Sequence, residues 1–269
     1  MARERFHWLR LWHAGVFWIA TMVALVGVSL LSHRLTPPWQ AVANGLTGAV
    51  LAWALSHAFL RWDGMAPRDA RLVPDRRTPT RLLAGILAGA AMAVLFVGLL
   101  HLSGCVAFQR VAWPGPGLPT LMAIGFLLLA AREEIAFRGY LLRTLETGFG
   151  RWPALLLMAA LFAIEHALSG MSLANVVVGA GLGALVFGMA AIATRSLAFP
   201  IGLHAAWNTI DWASGGKGGP GLWQRVALPG DEMQAQALGL ALYASVMALA
   251  LFALWRYDTM RSRTLRREA

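Results

Sequence analysis

Charged residues and cysteine are scarce in this sequence. Only 13% of the 269 residues are charged and 58% are hydrophobic, whereas soluble domains carry about 25% charged residues. This shortage of charge excludes a soluble globular domain. The single cysteine, Cys105, excludes an intramolecular disulfide and a metal site built from cysteines. We therefore expect an all-α, polytopic integral membrane bundle that forms one transmembrane domain over residues 1–269.

Lysine is nearly missing as well, because every basic residue except Lys217 is an arginine. The formal net charge of +10 does not predict a nucleic-acid partner, because most arginines lie in short loops between apolar runs. The Arg-rich, Ala-rich and Lys-poor composition resembles that of proteins from GC-rich bacteria. We expect a multi-pass protein of the bacterial inner (plasma) membrane, with the lipid bilayer as its surroundings.

Eight apolar runs predict membrane-spanning helices, since crossing a hydrocarbon core of about 30 Å takes about 20 residues. The fourth run is interrupted by charged residues, and the seventh is short. Arginines crowd the loops at alternate ends of the runs, so the positive-inside rule predicts that both termini are cytoplasmic. The runs cover residues 14–31, 40–60, 81–103, 118–145, 153–169, 172–194, 199–213 and 235–257.

Glycines give two further structural predictions. The pairs Gly85/Gly89 and Gly179/Gly183 have the spacing that lets membrane helices approach closely. The Gly- and Pro-rich segment 214–229 predicts a flexible outer loop.

Ionisable residues inside the spans are the candidates for function, because each costs at least about 2.5 kcal/mol near the bilayer centre. Glu134 and Arg138 are four residues apart, so they share a helix face and can pair. Glu133 points about 100° away from Glu134 and can face a cavity. The candidates lie in the fourth, fifth and seventh spans, and they are the ionisable residues Arg132, Glu133, Glu134, Arg138, Glu165, His166, His204 and Asp211, together with the polar residue Asn208.

The positions of Glu133 and His166 in the chain predict that they meet. Both are equally far from the turn at 147–152, and a rise of 1.5 Å per residue places both roughly 20 Å above it. A carboxylate and an imidazole at one buried level can form an acid–base site or a metal site. His204 lies near the start of its span, so the segment 196–200 must dip into the membrane to bring this histidine level.

A structural interpretation of individual residues stays open. Glu134 and Arg138 would stabilise the fold as a pair, and Asp211 would lie at the membrane interface. Glu165 would either orient His166 or face the outer headgroups. The combination of Glu133, His166, His204 and Asn208 is harder to explain structurally, because separate helices each contribute strongly polar groups.

Three short motifs in order resemble the CAAX protease and bacteriocin-processing (CPBP) family of intramembrane proteases. Residues 133–138 match the EExxxR motif, residues 162–166 match FxxxH, and residues 204–208 match HxxxN. Each motif alone is weak, but three in the family's order on separate spans form a strong signal. The resemblance implies a catalytic core over residues 118–213.

The resemblance also implies roles for the matched residues. Glu133 would be the general base, and His166 would help to position and activate a water. His204 and Asn208 would stabilise the oxyanion, while Glu134, Arg138 and Phe162 would support the site. The family is described both as glutamate-dependent proteases and as metalloproteases. We favour the mechanism without a cofactor, and zinc held by Glu133, His166 and His204 is the alternative.

The resulting functional prediction is an endopeptidase that cleaves a membrane-associated peptide or protein near the cytoplasmic half of the bilayer. A prenyl group on the substrate is not indicated by the sequence. Two alternatives remain. The polar cluster could serve docking in a non-catalytic membrane partner or immunity protein, or it could carry protons or cations in a transporter.

Overall fold

Helices make up most of the chain in the computed structural model, which describes residues 2–217, 219, 221–230 and 232–268. The α-helices are α1 (Ala2–Ser32), α2 (Pro37–Trp62), α3 (Thr78–Leu102), α4 (Gly117–Glu134), α5 (Leu142–Phe149), α6 (Arg151–Leu168), α7 (Leu182–Thr194), α8 (Ala198–Ala213) and α9 (Glu232–Glu268). Two π-helical segments, Ile135–Leu141 and Asn175–Gly181, continue α4 into α5 and lead into α7.

This architecture confirms the predicted all-α membrane bundle. Six helical segments of the described chain are long and apolar enough to cross a membrane. The fourth and seventh predicted spans are also helical, but neither is among the segments that are long and apolar enough to cross a membrane. Helix α4 ends on the charged residues 132–134, and α8 has only 16 residues. The six segments are Trp8–Ser32, Pro37–Trp62, Thr78–Leu102, Arg151–Leu168, Asn175–Thr194 and Glu232–Thr264.

The fourth predicted span is not one straight helix. It runs through α4, the first π-helical segment and α5, with non-helical backbone angles at Gly139 (φ −76°, ψ −111°). A π-helical turn holds more residues than an α-helical turn, and such turns are frequent at functional sites. Here the wide turn begins directly after Glu134 and so follows the motif carboxylates.

The prediction of a flexible loop over 214–229 is wrong for part of that segment. Strand β2 (Trp223–Ala227) pairs antiparallel with β1 (Val106–Arg110), and Val106 lies opposite Ala227. The β-prone residues of β2 therefore form a strand because they pair with β1, which lies far away in the chain. The small sheet joins the loop after α3 to the loop after α8.

Helices α3 and α8 pack with their backbones in contact. A Cβ atom on Gly85 would overlap the carbonyl of Phe199, and one on Gly89 would overlap the carbonyl of Leu203. Gly202 of α8 lies equally close to the backbone of α3. This contact confirms the close approach predicted for Gly85 and Gly89, and it seats the start of α8 deep in the bundle.

Replacing Gly89 by Ala should therefore destabilise the bundle, because the added methyl group collides with backbone atoms that cannot move aside. Overpacking of this kind costs about 1–3 kcal/mol. Thermal unfolding in detergent would show a lower midpoint for Gly89→Ala. Gly98→Ala is the matched control in the same helix, since nothing lies within 4 Å of its Cβ position. Equal midpoints for the two variants would contradict the contact.

Candidate active site

Four polar motif residues from three helices line one cavity of about 770 Å³, together with the motif residue Phe162. Glu133 comes from the end of α4, His166 from the last turn of α6, and His204 and Asn208 from successive turns of α8. The structure thus brings together the residues that the sequence predicted would meet. His204 is buried and Glu133 is largely buried, so both lie at the base of the cavity.

The Glu134–Arg138 pair lies behind this wall. Arg138 Nη1 is 3.3 Å from Glu134 Oε1, and both side chains are completely buried. Arg138 also donates to the carbonyl of Ala184 at 3.3 Å, and its guanidinium lies 4.7 Å from the ring centroid of Phe162. A buried charge of this kind needs a partner and further contacts, and helices α4, α6 and α7 supply those named here.

His204 lies between the two motif carboxylates. Its Nδ1 is 3.0 Å from Glu134 Oε1, and its Nε2 is 3.8 Å from Glu133 Oε2. The ring also stacks on Phe187, with centroids 4.3 Å apart and an interplanar angle of 15°. Because an ionised carboxylate only accepts hydrogen bonds, Nδ1 carries a proton and donates to Glu134. Its Nε2 is left to face the cavity and Glu133.

His166 is held by its own helix. Its Nδ1 lies 3.0 Å from the carbonyl oxygen of Phe162, which can only accept, so Nδ1 is the donor. The two rings are in contact, with centroids 4.4 Å apart. This contact explains the FxxxH spacing, since residues four apart meet on a helix face. In the neutral imidazole, Nε2 then offers a lone pair to the cavity.

A chain of polar side chains behind Glu133 was not assigned a role from the sequence. Arg132 donates to Glu133 Oε1 at 3.0 Å and to Asn44 Oδ1 at 2.6 Å, and Asn44 donates to Ser29 at 2.9 Å. Gly48 leaves the space that the Arg132 side chain occupies. The intramembrane charge of Arg132 was a visible signal, but nothing local in the sequence pointed to Asn44.

Glu165 and Asp211 occupy different surroundings. Glu165 is partly buried and interacts electrostatically with Glu133 and Arg132, and its Oε2 has no hydrogen-bond partner among the described residues. Asp211 lines the cavity and forms an ion pair with Arg225 at 2.9 Å. Both carboxylates therefore belong to the surroundings of the cavity, although neither is part of the three motifs.

The same side chains can be tested against the zinc alternative. Arg132 occupies one oxygen of Glu133 and a backbone carbonyl occupies Nδ1 of His166, so Oε2 and Nε2 remain as potential ligand atoms. Across the described parts of the chain, no three His, Cys, Asp or Glu side chains converge closely enough to hold a metal ion. The arrangement is therefore not a preassembled zinc site.

Comparison with known families matches the segment that carries these helices. Residues 115–210 fit the family model described as Type II CAAX prenyl endopeptidase Rce1-like. This segment of the chain is therefore similar to the Rce1-like family. The match confirms the resemblance drawn from the three motifs, and it supports a CAAX-type membrane protease activity at the level of the family. No curated protein matches the chain significantly. The roles of individual residues in the Rce1-like segment stay predictions.

Loss of Arg138 should be strongly destabilising, because Arg138→Met leaves the Glu134 carboxylate buried without its cation. Removing one partner of a buried pair costs about 3–5 kcal/mol. The double variant Glu134→Gln/Arg138→Met should recover part of that loss. Both would be measured by thermal unfolding in detergent.

Arg143→Met is the matched control for this prediction. Arg143 pairs with Glu146 at 3.4 Å while its side chain stays 32% exposed, and exposed pairs contribute roughly 0–1 kcal/mol. Equal destabilisation by Arg138→Met and Arg143→Met would show that the buried pair has no special role in stability.

Proposed function

We propose that the protein is an intramembrane endopeptidase that hydrolyses a peptide bond of a membrane-associated peptide or protein. The observation that carries this proposal is the convergence of Glu133, His166, His204 and Asn208 on one cavity. Peptide hydrolysis needs a base for water and donors for the oxyanion, and this group of residues contains both. The Rce1-like match supports the same class of reaction.

Activation of the water is the first step. A water between Glu133 and His166 would give one proton to the Glu133 carboxylate while it donates a hydrogen bond to His166 Nε2. The resulting hydroxide attacks the carbonyl carbon of the substrate. No serine or cysteine lines this cavity among the described residues, which favours direct attack by water over a covalent intermediate.

Stabilisation of the oxyanion falls to His204 and Asn208. Nδ1 of His204 already donates to Glu134, so Nε2 can donate to an oxyanion only when the ring carries both protons. The Asn208 amide would supply a second donor. Glu133 then returns its proton to the leaving amine, which breaks the peptide bond and regenerates the free enzyme.

Substitution of the cavity residues should abolish cleavage while the protein stays folded. Glu133→Gln removes the base, and His166→Ala removes the second contact to the water. His204→Ala and Asn208→Ala each remove an oxyanion donor, which lowers kcat by about 10²- to 10³-fold where such donors have been measured. Purified variants would be assayed on a panel of membrane-anchored peptides.

His57→Ala is the control for this series, because His57 lies on α2, is only partly buried, and does not line the cavity. It should cleave like the unaltered protein. Folding of every variant would be checked by thermal unfolding. If the unaltered protein cleaves none of the peptides and the variants only lose stability or a bound partner, the polar cluster serves docking and the protease proposal fails.

The glutamate mechanism also predicts the response to metal removal. We propose that no metal takes part, since no three His, Cys, Asp or Glu side chains in the described ranges lie close enough together to share one ion. Cleavage should persist after dialysis against a strong chelator, with the same rate before and after added zinc. Loss of activity on chelation, restored by zinc alone, would replace this mechanism with a metal-dependent one.

A further inference from the structure

A second cavity, of about 480 Å³, has a very different lining from the active-site cavity. It is formed largely by charged residues, and we refer to it as the arginine cavity after the five arginines that line it. These are Arg68, Arg71, Arg143, Arg151 and Arg195. Several of them come from the loops that carry most of the positive charge of the chain.

Helix α9 runs from one cavity to the other, so its length gives the distance between them. Glu232 and Gln236, in its first turns, line the active-site cavity, whereas Asp258 and Ser262 line the arginine cavity. At 1.5 Å per residue, the helix rises about 39 Å from Glu232 to Asp258. The hydrocarbon core of a bilayer is about 30 Å thick. The two cavities therefore lie at opposite ends of the bundle.

Helices α6 and α7 show the same polarity. Helix α6 begins at Arg151 in the arginine cavity, and His166 in its last turn lines the active-site cavity. The segment that leads into α7 begins at Asn175 beside the active-site cavity, and Arg195, after its end, lies in the arginine cavity. Each helix thus contributes one end to each cavity.

The active-site cavity opens at the end away from the arginines. Exposed residues line its rim, and strand β2 contributes Arg225 and Ala227 beside them. His204 and Glu133 are much less accessible and lie at its base. The exposed rim residues are Met171, Asn175, Lys217, Glu232 and Gln236.

We propose that the active-site cavity opens on the non-cytoplasmic face of the membrane. Basic loops stay in the cytoplasm, and the arginine cavity marks that face. Given the proposed protease function, the substrate is then a membrane-tethered polypeptide whose cleaved segment lies on the non-cytoplasmic side. A cytoplasmic chain end would approach the wrong face. This proposal agrees with the expectation that both termini are cytoplasmic. It replaces the expectation that cleavage takes place near the cytoplasmic half of the bilayer.

Cysteine accessibility tests the direction of opening without any need for activity. In a Cys105→Ser background, Gln236→Cys or Asn175→Cys places one thiol at the rim, and Ser262→Cys places one in the arginine cavity. A membrane-impermeant maleimide would be applied to intact spheroplasts and to inverted vesicles. We expect both rim variants to react in spheroplasts and to be protected in inverted vesicles, with the reverse result for Ser262→Cys.

Rim cysteines that react only in inverted vesicles would overturn the proposal, as would rim and Ser262 cysteines that react from the same side. The two independent rim positions guard against one variant that fails to fold. Because labelling requires no catalysis, this result stands whether or not the protein proves to be a protease.

Cleavage of oriented substrates completes the test. One peptide segment, fused to a single membrane anchor, would be displayed on the non-cytoplasmic side in one fusion and on the cytoplasmic side in the other. Cleavage of the first alone, lost in Glu133→Gln, is expected. Cleavage of the second alone would overturn the proposed side. If neither fusion is cleaved while labelling is as expected, the protease function fails and the direction of opening stands.

Discussion

Burial of the Glu134–Arg138 ion pair is the constraint on which the rest of the structure depends. Neither side chain reaches solvent, and removing one partner of such a buried pair leaves an uncompensated charge. The Ala184 carbonyl, the face of Phe162 and the ring of His204 surround the pair, while Glu134 Oε2 and Arg138 Nε have no hydrogen-bond partner among the described residues. Helices α6, α7 and α8 are thereby held around one point of the chain.

The same ion pair links stability to chemistry. Since Glu134 accepts from Nδ1 of His204, the pair decides which nitrogen of that ring faces the cavity. Glu133 is oriented in a parallel way by Arg132 on its other side. Two neighbouring glutamates therefore have different surroundings, because the helix turns one towards the packed interior and the other towards the cavity.

Local patterns in the sequence predicted the features that depend on local spacing. Hydrophobic runs indicated the helices, and the i, i+4 rule indicated the Glu134–Arg138 pair. Contacts between distant segments were missed. Asn44 lies 88 residues before Arg132, and Phe187 reaches His204 only through the packing of α7 on α8. Likewise, nothing in residues 223–227 identified Val106–Arg110 as their partner strand.

The π-helical segment after Glu134 affects where the chain can lose a residue without disturbing the site. A π-turn contains more residues than an α-turn, so deleting one residue after Arg138 would let the turn relax to ordinary helix. A deletion inside α4 would instead rotate the carboxylates by about 100° relative to the preceding residues. A single-residue deletion is therefore best accommodated at residues 139–141 and worst within residues 117–134.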